Sequence, residues 1–210
     1  MIKIDQSSNK QQLGFLNIIS GPMFSGKTSE LLKEIKKLID SGISKEEILI
    51  IKPDIDKRYS KIDIITHNGK SVEKDLSLKV SVVPVDFELR EFVIQKDKVK
   101  FIFLDEIQFF TSPSFVSDVK DLVIDWHMVI FGCGLDSDCF IVPFNHMPNL
   151  LAIADEVTKL KTVCHSCKSF TATKTKAKQK EILEHQPDGE NNLVQVGGND
   201  MYEAVCNNCY

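Results

Sequence analysis

Apolar positions recur along this chain in two periods, and the switches between them outline an alternating β/α protein. Phe15 to Ile19 is a continuous apolar run, which predicts a short strand buried on both faces. Leu31, Leu32, Ile35, Leu38 and Ile39 follow at helical spacing, and Gly42 suits the left-handed position beyond a helix that ends near Ser41. Glu47 to Lys52 predicts a second strand, stopped by Pro53. Val80 to Val83 predicts a third, leading to an amphipathic helix around Phe87, Leu89, Phe92 and Val93. Val99 to Leu104 is the strongest buried strand. Ser112 and Pro113 open the next helix, with Phe115, Val116, Val119, Leu122 and Val123 as its stripe. His127 to Phe131 is a further strand ending at Gly132-Cys133-Gly134. Strands alternating with helices predict a parallel sheet covered by helices, an α/β fold.

Elsewhere the pattern loosens. Residues 61–79 offer only a turn signal at Asn68-Gly69, preceded by Thr66-His67, where a lone histidine reads as a surface residue. Residues 135–149 contain Pro143 and Pro148 and read as a long irregular connection, functional or a lid. Its Phe140 and Phe144 either stack on a flat ligand or tuck the loop onto the core. Glu156 to Val163 predicts a strand leading into Cys164. Residues 168–192 are Lys-, Thr- and Gln-rich and predict a flexible stretch, with a strand at Leu193 to Val196 and a turn at Gly197-Gly198. The organisation expected is a disordered residue 1–14 segment, a nucleotide-binding domain over 15–155 and a small second domain over 156–210.

Composition narrows the class. With 210 residues, 42% of them hydrophobic, the chain has room for one α/β domain and a small appendage. The net charge is −4 with both signs interspersed, so no basic face for nucleic acid is expected. The opening MIKIDQSSNK lacks a signal peptide's apolar run, and the other apolar runs are too short to span a bilayer. A cytoplasmic protein with no membrane partner is the expectation. In that compartment the two Cys-x-x-Cys pairs, Cys164/Cys167 and Cys206/Cys209, read as a four-thiolate zinc site rather than disulfides. Cys133 and Cys139 read as ordinary small residues.

The chemistry centres on Gly21-Pro22-Met23-Phe24-Ser25-Gly26-Lys27-Thr28, which matches G-x-x-x-x-G-K-[ST] between a predicted strand and a predicted helix. Glycines let backbone N–H groups close round phosphates, and the helix N-terminus adds positive charge. Lys27 can reach the β- and γ-phosphates of a nucleotide, and the Thr28 hydroxyl can ligate Mg²⁺. An apolar strand ending in Asp105 supplies the second partner for that ion. Glu106 stands next, where a carboxylate takes a proton from water or from a substrate hydroxyl. The loop Asp54 to Ser60 follows the second strand; Asp56 and Arg58 either approach the phosphates or form a solvated charge cluster.

These pieces together resemble a type II thymidine kinase over most of residues 15–210. The motifs that carry the resemblance are GPMFSGKT at 21–28, IKPDIDKRYS at 51–60, DEIQFF at 105–110, GLDSDCFIVPF at 134–144, KLKTVCHSC at 159–167 and VQVGGNDMYEAVCNNC at 194–209. The resemblance implies a RecA-like P-loop core with a small zinc domain bearing a lasso over the base. It implies transfer of phosphate from ATP to the 5′-hydroxyl of thymidine or deoxyuridine, with Mg²⁺. Residue by residue, Glu106 matches the general base, and Asp56, Lys57 and Arg58 lie on the family's D-x-R, where Arg58 stabilises the transferring phosphoryl. Gln108 and Phe109 match positions near the phosphates, sugar and base. Met23 and Leu135 match the pocket around the thymine methyl. Leu193, Val194, Gln195, Val196 and Gly197 match the strand that reads the pyrimidine, Tyr202 packs beside it, and Phe144 belongs to the P-F pair. Cys139 falls where the family has phenylalanine, with Phe140 one place later, and Ile141 and Val142 replace a polar run. Lys174 falls at the base-contacting threonine, flanked by Thr173 and Thr175. A homotetramer and feedback inhibition by dTTP are implied as well. The competing classes are a zinc-bearing ATPase acting on nucleic acid, which needs a basic groove, and a dead scaffold, which the intact Lys27, Thr28, Asp105 and Glu106 argue against.

Overall fold

Six strands form one parallel sheet: β1 (Phe15–Ser20), β2 (Ile48–Pro53), β3 (Val80–Val83), β4 (Phe101–Leu104), β5 (Val129–Gly134) and β6 (Glu156–Lys159). They lie in the order β3-β2-β4-β5-β1-β6. The structure is a computed structural model that describes residues 13–55, 64, 71–178, 197–198 and 200–210. The turn at Asn68-Gly69, Thr66-His67 and the strand expected at Leu193 to Val196 lie outside the described residues.

The continuous apolar runs have a simple cause. Successive side chains of a strand point to opposite faces, and both faces here are covered by helices. On one face α1 (Lys27–Asp40) packs Leu31 and Ile35 with Ile50, Phe103 and Phe131. On the other, α2 (Leu89–Ile94), α3 (Phe115–Ile124) and α4 (Met147–Ile153) pack Val93, Val119 and Leu150 with Ile51, Ile102 and Leu104. Neighbouring residues such as Ile50 and Ile51 thus enter different cores. Phe103 and Phe131 stack with centroids 5.0 Å apart. This is the α/β parallel sheet that the periodicity predicts.

Several details differ from the pattern reading. β5 runs through Gly132, Cys133 and Gly134 instead of stopping at Phe131, and its two glycines leave room on the sheet face for Ile107 and Gln108. Pro53 is the last residue of β2 and still sits in register with Val83. α3 begins at Phe115, not at Ser112, since Ser112 and Ser114 turn their hydroxyls to Glu88. The segment read as irregular leads into α4, and Pro148 stands in that helix's first turn, where a missing N–H is harmless. β6 pairs with β1 from Asn17↔Glu156 to Ser20↔Lys159 and is therefore the sixth strand of the main sheet.

The described residues beyond β6 form a small lobe in which β7 (Lys174–Ala177) pairs antiparallel with β8 (Tyr202–Val205). β7 falls inside the stretch expected to be flexible. Its Thr175 and Ala177 are buried and its two lysines half-buried, the period-2 alternation of a strand with one covered face. Among the described residues no helix is long and apolar enough to cross a membrane.

Candidate active site

The loop between β1 and α1 crosses the carboxyl end of the sheet. Gly26 caps α1 with φ 87°, the left-handed region that disfavours side chains. Gly21 is needed for closeness: a Cβ there would lie 2.8 Å from the Leu160 carbonyl oxygen and 2.9 Å from Ser25 Oγ. Lys27 is buried and donates from Nζ to the Pro22 carbonyl at 2.9 Å. The Ser25 hydroxyl is buried and finds no partner among the described residues, as suits a polar group in a loop that receives a ligand.

Asp105 follows β4, and register explains what it meets. β5 separates β1 from β4, and its pairings Ile19↔Cys133 and Leu104↔Gly132 bring Cys133 level with both strand ends. The Thr28 hydroxyl donates to Asp105 Oδ1 at 3.4 Å, and the Cys133 thiol donates to the same oxygen at 2.9 Å. Burial first, then the charge of Asp105, pushes the Cys133 thiol well above its usual range, so it stays a donor. Cys133 is thus part of this cluster and not the bland small residue its sequence context implies. Hydroxyl and carboxylate oxygens converging here suit a hard cation such as Mg²⁺.

Glu106 takes the left-handed conformation, φ 51° and ψ 45°, which costs a residue with a side chain roughly 1–3 kcal/mol. Gln108 is fully buried; its Nε2 donates to Glu106 Oε2 at 2.5 Å and its Oε1 accepts from the Leu135 N–H at 3.1 Å. Gly134 makes room for this, because a Cβ there would fall 2.3 Å from Gln108 Oε1. The Asn145 side-chain amide donates to the carbonyls of Gln108 and Phe110, holding the turn from the other side.

Beside the loop, an apolar cluster unites Met23, Leu135, Cys139, Ala177 and Tyr202, with Phe24, Phe140, Phe144 and Met201 half-buried around it. Phe144 meets Phe109 edge to face at 5.8 Å. Burial, then charge interactions with Cys139 and Asp138, pushes the Tyr202 phenol up to about 12. Of the two threonines flanking Lys174, Thr175 reaches this region: its Oγ1 accepts from the Met23 N–H at 3.0 Å. Gly197 is buried against Met201. Asp56, Lys57, Arg58 and Leu193 to Val196 lie outside the described residues.

The four paired cysteines come together in the small lobe, their sulfurs all within 4.8 Å of one another and Cys167 Sγ 3.7 Å from Cys206 Sγ. A tetrahedral zinc with bonds near 2.3 Å needs sulfurs about 3.8 Å apart, so the group could hold zinc. Backbone N–H groups, that of Cys167 foremost, lower the Cys164 thiol to about 6, favouring the thiolate a metal takes. Apart from the four sulfurs, the buried members of this cluster are Ala172, Ala204 and Val205. So small an apolar core makes a metal staple the natural source of the lobe's rigidity.

A Lys-bearing loop at a helix N-terminus, a strand-end aspartate joined to its threonine, a glutamate held by Gln108 and an apolar, aromatic cluster alongside are an arrangement that could serve phosphoryl transfer from a nucleotide. The comparison with known families agrees: the family model described as thymidine kinase matches residues 14–210. The chain belongs to the thymidine kinase family, enzymes that phosphorylate a nucleoside with ATP.

Proposed function

We propose that the enzyme transfers the γ-phosphoryl of ATP to the 5′-hydroxyl of thymidine, and also of deoxyuridine, with Glu106 as general base. The observation that carries this reading is the Gln108 bridge: an amide fixed by the Leu135 N–H donates to Glu106 and leaves its carboxylate oriented as an acceptor. The left-handed backbone of Glu106 supports it too, since strain kept at a site mouth is a mark of function. Phosphoryl transfer asks mainly for positioning and charge stabilisation. Lys27 would draw charge from the β- and γ-phosphates, and the α1 N-terminus would add partial positive charge. Thr28 and Asp105 would hold Mg²⁺, which neutralises phosphate oxygens when bound. Arg58, with Asp56 and Lys57, would join on the transferring group. Met23, Phe109, Leu135, Phe140, Phe144, Gly197 and Tyr202 would enclose the base, with Leu193 to Val196 reading its polar edge. Zinc on Cys164, Cys167, Cys206 and Cys209 would be structural, because four thiolates leave no open coordination position. Family membership further supports a cytoplasmic homotetramer, inhibited by dTTP.

The test is Glu106→Gln, which should lower kcat by about 10²–10⁴-fold with ATP binding intact. Near-normal turnover would remove Glu106 from the base role. Specificity tests the pocket: backbone groups matched to thymine reject deoxycytidine strongly, whereas a missing methyl costs only about 1–3 kcal/mol. Deoxycytidine turned over as efficiently as thymidine would overturn the base-reading assignment.

A further inference from the structure

Tyr210 links the four-cysteine group to the pocket, and nothing in the reading above uses it. It directly follows Cys209, and its N–H donates to the Cys206 carbonyl at 3.1 Å, so its backbone belongs to the second cysteine knuckle. Its phenol reaches away from that knuckle and donates to the Cys139 carbonyl at 2.7 Å. Cys139 is no passive acceptor, for its side chain is a buried wall of the apolar cluster with Met23, Leu135, Ala177 and Tyr202. The turn that carries it is tight. Asp138 Oδ1 accepts from both the Phe140 and Val142 N–H groups at 2.9 Å, and Ile141 takes φ 62°. Among the described residues that turn has a short internal frame and a long-range hydrogen bond from the cysteine lobe. The same lobe grips the opposite wall of the cluster through Thr175 and the Met23 N–H.

We propose that Tyr210 is a positioning residue for the nucleoside: its hydroxyl sets where the Asp138–Ile141 turn, and hence the Cys139 wall, stands relative to the base. The inference rests on reading that cluster as the nucleoside pocket. It assigns the knuckle a specific duty toward one substrate, because Tyr210 bonds the pocket turn while the phosphate-side cluster of Lys27, Thr28 and Asp105 is assembled by β1, β4, β5 and α1.

Tyr210→Phe removes only the hydroxyl and keeps the ring. For the metal-loaded, full-length enzyme, one neutral hydrogen bond corresponds to about a threefold to tenfold rise in thymidine KM, and in thymidine Kd measured calorimetrically without ATP. The KM for ATP, kcat and zinc content should all stay within about twofold, since the ring and all four sulfurs remain. A companion variant, Leu135→Ala, opens the pocket wall directly. If Leu135→Ala weakens thymidine and Tyr210→Phe does not, the role of Tyr210 is overturned and the pocket reading stands. If neither variant weakens thymidine, the pocket reading itself fails. If Tyr210→Phe loses zinc or weakens ATP as much as thymidine, the residue merely holds the lobe together and the proposal is overturned.

Discussion

The main sheet and the small lobe are rigid for different reasons. The sheet sets two apolar cores against its faces, with Phe103, Phe110 and Phe115 fully buried among aliphatic side chains. Among its described residues the lobe has a two-stranded antiparallel sheet and, around its cysteines, a cluster whose other buried members are Ala172, Ala204 and Val205. Stability in the sheet is distributed, so no single side chain decides whether Lys27, Thr28 and Asp105 meet. In the lobe it would be concentrated in zinc held by the four cysteines, and that lobe touches Met23 and Cys139, both in the apolar cluster. On the function proposed above, phosphate handling and base handling would therefore rest on supports of unequal redundancy.

With zinc on the four cysteines as proposed, removing it should give the largest separation of the two. Chelation should abolish amide-exchange protection across 162–178 and 200–210 while the six-stranded sheet keeps its own, and thymidine affinity should fall more than ATP affinity. Equal loss in both regions would show the comparison to be false. Next in size is Phe103→Ala in the sheet, expected to cost about 3–5 kcal/mol in urea unfolding by deleting a fully buried ring stacked on Phe131. Zinc content of the folded fraction should not change, and metal loss on this substitution would mean that the lobe leans on the sheet core. Gly134→Ala acts within the site: its Cβ would displace the Gln108 amide and with it Glu106. A kcat loss of about ten- to hundredfold with little change in melting temperature is the expected result. The smallest effect is at Cys133. Its alanine variant should raise the Mg²⁺ concentration needed for half-maximal rate by about threefold, and serine, a better donor, should restore it. An alanine variant with unaltered Mg²⁺ dependence would reduce Cys133 to packing.

Much of the sheet was legible because a strand covered on both faces writes itself as an unbroken apolar run. The phosphate loop was legible because its glycines and its Lys-Thr answer to fixed geometry. The features that were not legible depend on register between distant segments. β6 reads as the approach to a zinc knuckle, and only pairing with β1 makes it the edge strand of the main sheet. Cys133 is bland by composition; its thiol matters because β5 runs between β1 and β4. Thr173 and Thr175 were equivalent until the β7–β8 pairing turned Thr175 inward. α4 was obscured by Pro148, although Met147, Leu150 and Leu151 carried helical spacing and proline suits a first turn. For Gln108 the sequence offers a place near the ligands, and the structure adds that its amide spans Glu106 and the Leu135 N–H.

The hydrogen bond from the Met23 N–H to Thr175 bears on how portable the phosphate loop is. An eight-residue signature invites treatment as a module that could be moved to any strand–helix junction. In this protein one backbone donor of the signature is engaged by a threonine 152 residues away, in another sheet. A graft of residues 21–28 onto a foreign scaffold would carry every conserved letter and still leave that N–H to solvent or to the nucleotide. The motif is a local spelling of a shape that this chain completes only at long range.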